Sequence, residues 1–140
     1  SFEEIVTEVE SYISSMNTFF VIETLETLRK AGRLSGLKAF VANTLNIKPV
    51  MGSTKEGTIQ QLGQARGVKK ALAKMGDEII KELENSRDKI LAISHCNCPA
   101  RAKYVKEMLT AKAQFKDVVI LDTAGISSMY AADGGVIVVV

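Results

Sequence analysis

The chain has 140 residues, 46% hydrophobic and 24% charged, which is enough apolar material for one core and too little length for an ordinary two-domain protein. Its 18 Lys and Arg against 16 Asp and Glu leave a charge of +2, excluding a polybasic nucleic-acid surface, and 2 prolines with 10 glycines exclude a Pro-rich linker or a collagen-like repeat. No apolar run approaches the length of about 18 residues that crosses a bilayer, and no secretory leader is recognisable, so a single cytoplasmic domain over 1–140 is expected.

Phe2, Ile5, Val9, Tyr12 and Met16 recur at steps of three and four, with Val6 and Ile13 widening the stripe and Glu3, Glu4 and Glu8 near the positive end of the helix dipole. This predicts a helix over 2–15. Phe19-Phe20-Val21-Ile22 predicts a buried strand, and 24–31 a short helix stopped by Gly32, with Arg29 and Lys30 in its last turn. A second short helix is expected over 36–44, with Leu37, Phe40 and Val41 on one side. The segment 47–51 predicts a strand in which Pro49, having no N–H, signals an edge position or a bulge. The turn Lys55-Glu56-Gly57-Thr58 pairs it with 58–63 as a hairpin.

Val68, Leu72, Met75, Ile79 and Leu83 form the longest helical stripe. Gly76 interrupts it at a cost of about 1 kcal/mol and signals a close packing contact. A strand over 89–94, a helix from Pro99 through Leu109 and a strand over 118–121 follow. The segment 125–135 reads as a Gly-containing loop, and Val136–Val140 as a final central or edge strand. Six strands and five helices, hairpin-like early and alternating later, predict an α/β fold of the α+β type with a mixed sheet covered by helices.

His95, Cys96 and Cys98 are the residues most suggestive of nucleophilic or metal chemistry. They crowd into four positions, however, with no second Cys pair to complete a zinc site, and the two thiols are too close in sequence for an ordinary disulfide. A turn capping the helix at Pro99 is the expected role. Asp77, Glu78, Glu82 and Glu84 alternate with Lys74 and Lys81, as on a solvated helix face. Arg66, Lys69, Lys70 and Lys74 form a modest basic strip without interleaved aromatics. Gly32-Arg33-Leu34-Ser35-Gly36 places a guanidinium and a hydroxyl between two short helices, a junction that can hold an anion; the alternative is that Ser35 merely caps the second helix.

The stretch Ile22-Glu23-Thr24-Leu25-Glu26-Thr27-Leu28-Arg29-Lys30-Ala31-Gly32-Arg33-Leu34-Ser35, followed by Leu45-Asn46-Ile47-Lys48-Pro49-Val50, resembles the DegV family of bacterial fatty-acid-binding proteins. Arg66-Gly67-Val68-Lys69-Lys70-Ala71-Leu72 and Ser94-His95-Cys96-Asn97-Cys98-Pro99 fit the later part of the same pattern. The resemblance implies that residues 1–140 form the family's C-terminal lipid-binding domain, with the N-terminal domain absent. It further implies a two-layer fold in which helices pack on a mixed six-stranded sheet.

By that resemblance Arg33, with Leu34 and Ser35, faces the lipid head group. The family's "GxHxGPG" segment matches Met129-Tyr130-Ala131-Ala132-Asp133-Gly134-Gly135, which puts Ala131 at the histidine position and Tyr130 beside it. Phe19, Val21, Phe40 and Ile47 are candidates to line the acyl tail. The expected function is non-catalytic binding of a long-chain fatty acid, presented to a separate fatty acid kinase, with no metal, cofactor or nucleic acid. A protein-interaction or dimerisation domain, with a homodimer of the isolated domain, is the alternative.

Overall fold

Why the sequence folds as it does is clearest in the pairing of its strands. The computed structural model describes residues 1–34 and 46–140. The elements are α1 (Phe2–Ser15), β1 (Thr18–Val21), α2 (Glu26–Lys30), β2 (Ile47–Ser53), β3 (Ile59–Arg66), α3 (Val68–Glu82), β4 (Ile90–His95), α4 (Pro99–Thr110), β5 (Asp117–Asp122), α5 (Gly125–Ala131) and β6 (Val136–Val139), with a 3₁₀ turn at Ser86–Asp88. One six-stranded mixed sheet has the order β3-β2-β1-β6-β4-β5. All neighbours are antiparallel except β4 and β5, which run parallel on either side of α4. The predicted α+β architecture and all six strands are present.

The hairpin of β2 and β3 forms as predicted, with β3 continuing to Arg66 rather than ending at 63. β2 is an interior strand, so the edge position suggested by Pro49 does not hold; the alternative suggested with it does, because the register shifts between Val50 and Met51. Pairing with β1 reaches only Met51 and Gly52, which leaves Pro49 beyond the end of that ladder. The segment 125–135, expected as a loop, instead contains helix α5 followed by a turn at 132–135. The expected helix over 36–44 lies outside the described residues.

α3 and α4 cover one face of the sheet. Facing them are Phe19 and Val21 of β1, Leu91 and Ile93 of β4, and Val136 and Val138 of β6, sealed beneath Leu72, Met75, Ile79, Val105 and Leu109. A Cβ on Gly76 would press into Met108, so the glycine lets α3 approach α4 closely, as its place in the stripe suggested.

Opposed residues in a sheet share a face. The rows Met51, Phe20, Ile137, Ser94, Leu121 and Thr18, Val139, Ala92, Val119 therefore lie on the side away from α3 and α4. Met51 is buried there, but most of the rest are only half-buried, and Leu121 is 56% exposed. Helix α1 keeps its predicted boundaries and is held by a capping box from Ser1 to Glu4, yet it buries none of its residues; Phe2 at its start is 75% exposed.

Candidate functional site

Of the residues singled out by sequence for the head group, the described ones follow the C-terminal end of β1 (Arg33 and Leu34) or precede the start of β6 (Tyr130 and Ala131), and these two strand ends pair with each other. The local chain geometry there follows from the sequence. Helix α2 ends in a Schellman motif: Gly32 adopts φ +69°, its N–H donates to the Arg29 carbonyl, and the Arg33 N–H donates to the Leu28 carbonyl at 2.9 Å. That turn projects Arg33 into solvent and leaves Leu34 half-buried. Upstream, the Arg29 guanidinium forks onto both carboxylate oxygens of Glu26 at 2.9 and 2.7 Å, and these hydrogen bonds hold the Glu26 carboxyl at about 2.

The second wall is the turn between α5 and β6. Ala132 at φ +55° and Gly134 at φ +88° reverse the chain, and both backbone partners of Cys96 come from this turn: its N–H donates to Gly135 and its carbonyl accepts from Gly134. Asn97 Nδ2 donates to Asp133 Oδ1 at 2.9 Å. Tyr130 is half-buried at the end of α5, and Ala131, the residue at the histidine position of the family pattern, is buried. Helices α2 and α5 touch, so the two walls belong to one neighbourhood.

Between them lies a charged cluster that sequence reasoning did not single out. Glu23, just past β1, accepts from Lys48 Nζ at 2.6 Å on one oxygen and from Arg101 Nη1 at 2.7 Å on the other. Lys48 also donates to the Glu23 carbonyl at 3.0 Å, and Arg101 to the Gly134 carbonyl. Burial pushes the Glu23 carboxyl up, but the hydrogen bonds and charges of Lys48 and Arg101 outweigh it and hold the group below its ordinary 4.5. Two cations sharing one carboxylate leave an excess positive charge in a half-buried position. The sequence signals for the cluster were Glu23 and Lys48, one in each of the two motifs that carry the resemblance, whereas Arg101 lay outside both.

His95 belongs to the turn expected at the start of α4. His95 is buried at 5% exposure, its Nδ1 accepts the Cys98 N–H at 3.3 Å, and its Nε2 lies 3.5 Å from Asp122 Oδ1. The imidazole thus helps hold the turn that leads into α4. Burial pushes the Cys98 thiol up, and its Sγ rests on the Gly135 carbonyl at 3.4 Å. Asp77 and Glu78 pair with Lys112 and Lys81 at 2.6 and 2.9 Å, the solvated face that the charge alternation implied.

Of the tail candidates, Phe19 and Val21 sit in the sealed core under α3 and α4, and Ile47 is half-buried at the start of β2. Ser35 and Phe40 lie outside the described residues. Two clefts, of about 910 and 660 Å³, are at the other end of the sheet, under the C-terminal turn of α1. Tyr12, Met16, Lys55 and Glu82 are among their lining, and none of Arg33, Leu34, Tyr130 and Ala131 is.

The arrangement is that of a two-layer α+β domain with one open apolar sheet face and cations gathered at one end of its strands. The chain belongs to the DegV family, whose model, described as "Uncharacterised protein, DegV family", matches residues 1–140. A DegV domain-containing protein of Streptococcus pyogenes is 35% identical over 139 residues, 98% of this chain and 48% of that protein. A DegV-family crystal structure from Ruminococcus gnavus, refined with vaccenic acid, is 56% identical with a TM-score of 0.96, over 100% of this chain and 50% of that one. The Streptococcus pneumoniae Fatty Acid Kinase (Fak) B3 protein loaded with linoleic acid is 31% identical with a TM-score of 0.85, over 99% and 49%. The chain spans about half the length of the curated relatives it matches.

Proposed function

We propose that this chain is the C-terminal half of a cytoplasmic DegV protein and that it binds a long-chain fatty acid without chemically changing it. The observation that carries this reading is the 56% identity and near-superposition with the Ruminococcus gnavus chain refined with vaccenic acid. In this reading Arg33, with Leu34 and Ser35, meets the carboxylate, and Tyr130 and Ala131 form the opposite rim. Phe19 and Val21 serve as the packed floor of the sheet, while Ile47 and Phe40 belong with the acyl tail. Phe20 and Ile137, next in the strand alternation, add half-exposed apolar surface. Each methylene withdrawn from water contributes about 0.8 kcal/mol, so the tail supplies affinity and the cationic end supplies selection for an acid. The likeness to the Fak B3 protein supports presentation of the acyl group to a kinase.

Native mass spectrometry after gentle purification should reveal a co-purifying acyl species, or a mass shift on adding palmitate. Neither signal appearing would refute binding by this chain. The exposed apolar stripe of α1 favours a second role, association with a partner or with a second copy. Sedimentation of the protein alone and with a candidate kinase tests it, and a monomer that forms no complex would count against it.

A further inference from the structure

The charged cluster at the strand ends has the composition of an anion site. Glu23 cross-links Lys48 and Arg101, which come from β2 and α4, and Arg101 also grips the turn that follows α5. Each oxygen of the one carboxylate takes a different cation, which leaves the cluster with a net positive charge. Among the described residues, the bonds to Glu23 and the backbone occupy two of the three Lys48 donors and only the Nη1 end of the Arg101 guanidinium, which leaves further donors on both side chains. The side chains are 18% and 33% exposed, which weakens competition from water and salt compared with a surface lysine. Arg33 is more exposed than either and stands on the α2 side of the same neighbourhood.

We propose that Lys48 and Arg101, held in place by Glu23, form a second binding site for the carboxylate of a long-chain fatty acid, supplementing Arg33. The inference rests on the fatty-acid reading above. Through its bond to the Gly134 carbonyl, Arg101 stands at the turn that follows Ala131, the position where the family pattern carries a histidine. Glu23 acts as a positioning residue: it sets the separation of the two cations and does not touch the ligand.

Competition binding compares palmitate with methyl palmitate, which has the same tail and no charge. The protein should prefer the acid. Lys48→Gln and Arg101→Gln should each lower that preference about tenfold, the scale of one charge-assisted hydrogen bond, while leaving ester binding in place. Lys48→Arg and Arg101→Lys should restore most of the preference. A staple alone would instead lower the affinity for both ligands together, and that result, or an unchanged acid-to-ester ratio, overturns the proposal. Should the variants not fold, NMR of the unaltered protein provides the test. The Arg101 Nε–H and Lys48 side-chain resonances should move on adding palmitate and stay still with the ester, and no movement with palmitate overturns the proposal. Absence of any palmitate binding by the unaltered protein would remove the underlying reading itself, a failure visible before any substitution is made.

Discussion

Replacing two adjacent phenylalanines with alanine should give very different losses, because the pleat of β1 sends Phe19 into the core and Phe20 to the open face. Phe19 is 2% exposed and contacts the layer beneath α3, so Phe19→Ala removes a full aromatic ring and leaves a cavity, a loss of about 3–5 kcal/mol. Phe20 is only half-buried, so a truncated ring there is partly replaced by water and the loss is about 1 kcal/mol. At about 2–4 °C per kcal/mol for a chain of this size, the first variant should melt about 6–20 °C below the unaltered protein and the second about 2–4 °C below. Urea midpoints read alongside thermal melts by circular dichroism would measure both. Palmitate binding should show the opposite order, with Phe20→Ala the more impaired once Phe19→Ala is examined well below its melting point. Equal stability losses, or a larger one at Phe20, would refute the assignment of faces.

The Glu23 carboxyl is held below 4.5, so its unfolded form binds a proton at higher pH than its folded form does. Its stabilising contribution should be complete above the unfolded value and fade as pH falls through the lower folded value; Glu23→Gln should flatten that part of the acid limb in a plot of urea midpoint against pH. Because burial raises the Cys98 thiol, its alkylation at pH 8 should be slower in the folded protein than in urea, with site-resolved mass spectrometry as the readout; equal rates would contradict the burial argument. Val9→Ser and Ile13→Ser in α1 should each change the melting temperature by less than the equivalent of about 0.5 kcal/mol, since neither side chain is packed. For the same reason amides of α1 should exchange with solvent much faster than those of α3, as hydrogen-exchange mass spectrometry would report.

Local signals carried most of the fold. The i, i+3, i+4 stripe of α1, the stripe of α3 and Gly32 behind α2 each act within a few residues, and each element ends within two residues of its predicted place. Helix α5 escaped because its apolar residues Ile126 and Met129 face solvent while only Ala131 is buried, so there is no core-facing stripe to read. The four consecutive apolar residues of Phe19–Ile22 announced a strand but not its facing, since an unbroken apolar run does not show which side chains meet the helices. The cluster of Glu23, Lys48 and Arg101 was illegible for another reason. Its members are 25 and 53 residues apart along the chain and meet only because the sheet brings the ends of β1 and β2 beside α4.

The place of β6 also bears on how the molecule is made. This strand, which follows the other five in sequence, lies between β1 and β4, and it joins the early hairpin side of the sheet to the later parallel pair. Until residues 136–139 emerge, β1 and β4 each present an unpaired inner edge. The closing contacts, such as Phe19 with Val138, span most of the sequence, so loop-closure entropy must be met before they form, and this favours slow, late consolidation. Nascent chains stalled short of Val136 should therefore hold two half-sheets with exposed apolar edges, the state most in need of a chaperone.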